Sequence, residues 1–278
     1  MSNPRPADPM TTRAFRFRLA LIGVLALVAL IVAAAIPRAG QNPDYQQFAD
    51  QRSLLGIPHC LNVLSNAPFV VFGLAGIVWL LWRHREEPTA TVPTWEFYAH
   101  LTLFVFVTLT GFGSTYYHLQ PSDERLYWDR LPLTVILMTF FALIVAERVS
   151  PRWGPWLWPV FVAAGVAAVT HWYWTELQGH GDVRFYALVQ IVPLSLIPII
   201  LLAFPARYYR TADVFAILAW YALAKVLELT DGRIYSAGGV VSGHTLKHLA
   251  ASLGALWMVF LLRRRYSVDM HTAASGPS

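Results

Sequence analysis

Charge is what this chain is poorest in. Only 13% of its 278 residues are charged, against about 25% in soluble domains. Hydrophobic residues make up 56%, and the mean hydropathy is +0.47. That composition excludes an ordinary soluble globule. Cysteine is nearly absent too. Cys60 is the only one, which excludes an intrachain disulfide framework and a cysteine-rich metal site. Any metal must then be held by histidines and carboxylates. No internal repeat is evident. The net charge of +5 raises the question of nucleic acid. However, the basic residues sit between the apolar runs rather than on one amphipathic face, so no nucleic-acid partner is expected.

What the chain has is apolar runs. A membrane-spanning helix needs about 20 predominantly apolar residues, and eight candidates occur, at about 17–36, 63–83, 96–118, 130–147, 156–174, 184–204, 212–229 and 243–263. The pattern predicts an all-α integral membrane protein: a seven-helix bundle core over 63–265, with one extra N-terminal transmembrane helix over 16–36 and a polar outer loop over 37–62. Residues 1–15 and 266–278 are expected to be disordered. The first run has a basic flank but is too long for a typical signal peptide. It reads as an uncleaved anchor, although Ala33-Ala34-Ala35 leaves cleavage possible. Pro132 is expected in an opening turn, and Pro193 and Pro198 are expected to kink their helix. Tryptophans such as Trp95, Trp128, Trp153, Trp172 and Trp174 fall near span ends, where an interfacial belt explains them.

Orientation follows from the arginines. With eight spans and a cytoplasmic N-terminus, the inner segments hold Arg5, Arg13, Arg16, Arg18, Arg83, Arg85, Arg148, Arg152, Arg207, Arg210, Arg263, Arg264 and Arg265, thirteen in all. The outer segments hold six: Arg38, Arg52, Arg125, Arg130, Arg184 and Arg233. Both termini are therefore expected in the cytoplasm of a multi-pass protein of the plasma (inner) membrane.

That topology places five polar residues on one side. Ser114 and His118 lie four apart, on one face of a helix. His244 and His248 repeat the spacing far downstream, and Asp129 opens the run that follows His118. Two imidazoles at i and i+4 can both reach one metal ion, and a third from a neighbouring helix leaves a fourth position open. Each residue also has a plain structural use. A lone buried histidine is commonly a hydrogen-bonded core residue, Asp129 could be an N-cap, and Ser114 could back-bond within its helix. Ionisable groups inside a membrane are expensive, however, and they mark functional sites. Haem usually takes single histidines from opposite helices, so the H-x-x-x-H pair fits zinc better. Leu246 and Lys247, between the pair, supply no carboxylate, so the base of a zinc hydrolase would be Asp129. Lys225, Glu228, Asp231 and Lys247 lie near the same rim. Lys225 and Glu228 form either a simple i, i+3 ion pair or part of a shell that holds Lys247 or orients a ligating histidine. His59, His171 and His180 have no partner at ligand spacing and are expected to be structural.

Ser114-x-x-x-His118, Asp129 and His244-x-x-x-His248 together resemble the S-x3-H, D, H-x3-H signature of the alkaline ceramidase family, and the bacterial ceramidase-type members most. The wider superfamily also contains the progestin and adipoQ receptors. The resemblance covers about residues 57–263. It implies a seven-helix core, Zn²⁺ on His118, His244 and His248, Ser114 and Asp129 as the catalytic pair, and hydrolysis of the N-acyl bond of a ceramide-like lipid. The stretch Ile57-Pro58-His59-Cys60-Leu61-Asn62-Val63-Leu64-Ser65-Asn66 is similar to a family segment that carries a calcium-binding glutamate in the eukaryotic enzymes. His59 stands in that place here and the acidic run before it is missing, which argues against calcium. Two other classes stay open. A receptor or sensor would use the metal structurally and bind lipid without turnover. A metal transporter would need polar residues across the bilayer, and the inner halves of the spans hold few.

Overall fold

The computed structural model describes residues 11–86 and 92–274. Among them the architecture is all-α, with one isolated bridge between Leu54 and Ile57. Helix α1 is Thr12–Ala35, α2 is the short Cys60–Leu64, and α3 is Ala67–Glu86. Then come α4 (Thr94–Leu119), α5 (Asp123–Arg148), α6 (Gly154–Leu177), α7 (Arg184–Ala203), α8 (Thr211–Leu229), the short α9 (Asp231–Gly238) and α10 (Gly243–Ala274). Seven helices are long and apolar enough to cross a membrane, α2 and α3 counting as one. Helix α8 coincides with the remaining expected run but is not among these seven. Its 19 residues carry Asp213, Lys225 and Glu228. Asp213 pairs with Arg264 at one end of α10 and Glu228 with Lys247 at the other, so α8 runs the length of the bundle beside α10.

Helix α5 is the central post, and every residue from Met138 to Val149 is buried. Helix α1 lies outside, along α7. Only Ala33 of α1 is buried, Phe15 meets Phe204 edge-on at 5.7 Å, and Arg184 donates to the Ile36 carbonyl at 2.6 Å. Many apolar side chains of α1, among them Phe17, Val24 and Leu27, and others such as Trp156, Ile191 and Leu202, face outward. A hydrocarbon surround suits that surface, and the helices satisfy their own backbone groups, as it requires.

Several boundaries differ from the expectation. Residues 1–10 and 275–278 lie outside the described residues, but 12–15 belong to α1, whose first turn is capped by Thr11 Oγ accepting from Ala14 N at 3.3 Å. The C-terminal tail expected from residue 266 begins as helix. Arg265 continues α10 because it is held inside the bundle by Glu96, at 2.9 Å. The loop 37–62 contains a 3-10 turn at Pro43–Gln46, and α2 starts within it at Cys60. Helix α5 begins at Asp123 rather than 130. Ser122 Oγ accepts from Arg125 N at 3.3 Å, and Asp123 and Glu124 fill the first turn, a favourable helix start. Asp129 is therefore inside α5 and caps nothing. Pro132 also lies in the helix interior rather than in an opening turn, so the Trp128 carbonyl four residues back loses its helical donor. Gly113 of α4 packs on that carbonyl, and a Cβ built at Gly113 would lie 2.3 Å from the Trp128 oxygen. This close approach brings Ser114 and Asp129 side by side. Helix α7 runs unbroken through Pro193 and Pro198.

Candidate metal centre

Two helix ends converge and bring three histidines together. His118 is in the last turn of α4, and His244 and His248 are in the first two turns of α10. Their candidate ligand atoms all lie within 4.8 Å of one another. The three residues are 1%, 6% and 5% exposed. His118 Nε2 and His244 Nε2 face each other at 3.2 Å, close to the separation of about 3.3 Å for two nitrogens at 2.0–2.1 Å from one tetrahedral ion. A proton between them would serve one pair of nitrogens, whereas a cation serves all three. His118 Nδ1 has no hydrogen-bond partner among the described residues. The His248 ring is oriented from behind: Ser65 Oγ donates to the Asn62 carbonyl at 3.0 Å and so accepts from His248 Nδ1 at 2.8 Å. That leaves Nε2 of His248 free to be a ligand. The cluster could hold a metal ion, and nitrogen donors of this kind suit a borderline transition metal.

Searches of protein-family models, of curated proteins and of solved structures give no match for the chain. What the site can do has to be read from its own geometry.

The N-terminus of α10 is set by Asp231. Its Oδ1 accepts from His244 N at 2.7 Å and its Oδ2 from Ala49 N at 2.9 Å, so one carboxylate ties the loop between α1 and α2 to the histidine helix. Gly243 allows this, because a Cβ there would lie 2.2 Å from the Leu227 carbonyl oxygen. The tied loop carries Phe48, whose ring lies 4.6 Å from His118 and 4.5 Å from His244 and covers the cluster. Arg52 locks the same loop. It holds both oxygens of Asp50 at 2.8 Å and donates to the Val240 carbonyl at 2.6 Å. That pairing keeps the Asp50 carboxyl below its ordinary range.

Beside the histidines lies a cavity of about 200 Å³. Ser114, Asp129, Glu228, Lys247 and His248 line its polar end, while Phe140, Leu194, Ile217 and Met258 line its apolar depth. Ser114 and Asp129 line this end together, on the facing helices α4 and α5. Glu228 does both things open to it: its Oε2 takes Lys225 at 2.6 Å and its Oε1 takes Lys247 at 2.5 Å. His59 Nδ1 donates to the His118 carbonyl at 3.0 Å, and His59 is no part of the cluster. His171 lies 3.7 Å from Asp182.

Sequence reasoning missed Ser65, Phe48 and the surroundings of Arg130. Trp172 is fully buried rather than interfacial. Its ring lies 4.2 Å from the Arg130 guanidinium, and Tyr186 and Tyr45 lie 4.5 and 5.1 Å away. The one available signal for Ser65 was the polar run Asn62 to Asn66 at the head of an apolar segment. Phe48 gave none.

Proposed function

We propose that this protein is a membrane-embedded zinc amidase that hydrolyses the N-acyl bond of a lipid, with ceramide-like lipids as the class to test first. The observation that carries the reading is the joining of two features: three buried imidazoles that could hold a metal, and a cavity with a Ser–Asp pair at its polar end and an apolar interior. An acyl chain would remain in the apolar part while its amide reaches the polar end. The resemblance of the same five residues to the alkaline ceramidase signature supports the reading independently.

Zn²⁺ suits three histidines with an open fourth position, and when bound it would polarise the amide carbonyl and lower the pKa of water toward about 7. Asp129 takes the proton of the attacking water and returns it to the leaving nitrogen as the C–N bond breaks and the new C–O bond forms. Ser114 donates a hydrogen bond to the developing oxyanion. Lys247, with Glu228 fixing its ammonium, adds positive charge at the same end of the cavity. Asp231 and Ser65 hold the α10 histidines in place.

The arginine distribution and the parity of eight runs support a plasma (inner) membrane protein with cytoplasmic termini and the site on the periplasmic or extracellular side. Reporters fused after Ser278 should behave as cytoplasmic. Elemental analysis of purified protein, run beside a lipid turnover screen, tests the main reading. Zinc at about one per chain together with release of a fatty acid from an N-acyl lipid is the expected result. Zinc without turnover of any N-acyl lipid would leave a lipid-binding receptor as the surviving account.

A further inference from the structure

The chain contains two lysines, Lys225 and Lys247, and both line the cavity. They share one carboxylate, Glu228, each taking one of its oxygens. Arg130 lines the same cavity and is 5% exposed. Its Nη2 donates to a neutral amide, Gln41 Oε1, at 2.7 Å. Its Nε and Nη1 have no hydrogen-bond partner among the described residues, and the Trp172 and Tyr186 rings lie over the guanidinium. Three cations thus line the cavity against two anions, Asp129 and Glu228, before any metal is counted. Buried cationic groups left short of acceptors are costly, and a ligand that brings an anion removes the deficit. Lys225 is half exposed and so stands where a headgroup could reach it.

We infer that the lipid taken by this cavity carries an anion, a carboxylate or a phosphate, close to its amide, and that Lys225 and Arg130 select it. The inference rests on the amidase reading for the word amide alone. The charge imbalance stands without it. Ion-assisted hydrogen bonds of this kind give a preference of roughly tenfold to a hundredfold over a neutral ligand.

The test uses three amphiphiles with the same twelve-carbon acyl chain. Each has a methylene in place of the amide N–H, so that none can be cleaved, and they end in a hydroxyl, a carboxylate or a phosphate. Binding to the full-length wild-type protein in uncharged detergent should favour at least one of the two anionic forms by about tenfold or more. Preference for the carboxylate alone points to N-acyl amino acids, and preference for the phosphate alone to phosphorylated N-acyl lipids. Lys225→Gln, a change at a half-exposed site, should cut the preference at least about threefold, and Arg130→Gln should cut it further if the variant folds. A metal alone would attract anions whether or not Lys225 is present, so the variant separates the two sources. Equal or tighter binding of the hydroxyl form, or a preference undiminished in folded Lys225→Gln, overturns the inference. Failure to cleave any N-acyl lipid while the anion preference stands would sink the amidase reading and leave this one intact.

Discussion

Helix α4 carries two deeply buried histidines, His100 near its start and His118 at its end, about 27 Å apart along the axis, and they are held in opposite ways. Both ring nitrogens of His100 are satisfied: Nδ1 by the Glu96 carbonyl and Nε2 by the Tyr209 hydroxyl, each at 2.8 Å. Around it the buried carboxylates Glu96 and Glu147 each have a counter-charge. Arg265 holds Glu96, Arg148 pairs with Glu147, and the backbone N–H groups of Arg207, Tyr208 and Tyr209 all converge on Glu147 Oε1. The space left there is about 10 Å³. At the other end His118 Nδ1 is without a hydrogen-bond partner among the described residues, its Nε2 confronts another imidazole, and a cavity of about 200 Å³ lies alongside. Buried polar groups alone therefore say little about function. Unmet hydrogen-bonding demand beside open space is what separates the two ends.

The widest separation should come from metal content. His244→Ala or His248→Ala should reduce bound metal from about one ion per chain to near none, because two imidazoles remain where three are needed. His100→Ala should leave the metal in place and cost about 1–3 kcal/mol of stability, through the polar partners it strands. Elemental analysis of the purified variants decides this, and undiminished metal in both α10 variants would show that the cluster is no ligand set.

Turnover separates the ends next. Asp129→Asn should lower N-acyl lipid hydrolysis by about 10²–10⁴-fold with metal content unchanged. Asp129 lies inside α5, so helix capping offers no competing explanation for a loss. The neighbouring carboxylates are already engaged, Glu228 by two lysines and Asp231 by two backbone N–H groups. Full turnover in a folded, metal-loaded Asp129→Asn would therefore remove the proposed base without supplying another.

At the satisfied end the effect should appear in stability instead. Glu96→Ala removes the carboxylate that holds Arg265, which is 5% exposed, and breaking one partner of a buried ion pair costs about 3–5 kcal/mol. Thermal unfolding in detergent should show that loss while metal stoichiometry holds at its wild-type value. A fall in metal content would mean that the two ends are coupled through α4 and α10.

The contrast also explains what could be read from the sequence. The eight runs and the five polar residues at one level were legible because hydropathy and i, i+4 spacing are local properties. Helix starts were less so. Hydropathy reports where lipid begins, whereas Ser122 starts α5 well before its apolar face does, and the capping reading of Asp129 arose from that gap. The tryptophan belt failed at Trp172 because an aromatic ring that stacks on Arg130 inside the bundle looks, in sequence, like one at an interface. Phe48 over His118 and Ser65 behind His248 are contacts between distant segments. No periodicity foretells such contacts, since they depend on which helices become neighbours.

Ser65 offers the finest distinction between the ends, because Tyr209 is its counterpart. Each hydroxyl meets the second nitrogen of a buried histidine at 2.8 Å. Ser65→Ala removes the acceptor that fixes the His248 tautomer, so the ring can place its proton on Nε2 and compete with metal. Losses of this kind weaken metal affinity by about 10–100-fold. Tyr209→Phe removes an equivalent hydroxyl at the other end, where no ligand depends on it, and should cost about 1 kcal/mol of stability with no change in metal affinity. Ser65→Thr keeps the hydroxyl and should restore most of the affinity that Ser65→Ala loses, which a general packing defect at α2 would not do. Competition against a chelator of known affinity measures all three. If Ser65→Ala binds metal as tightly as wild type, His248 Nε2 is held free by something other than Ser65, and the two ends differ only in their open space.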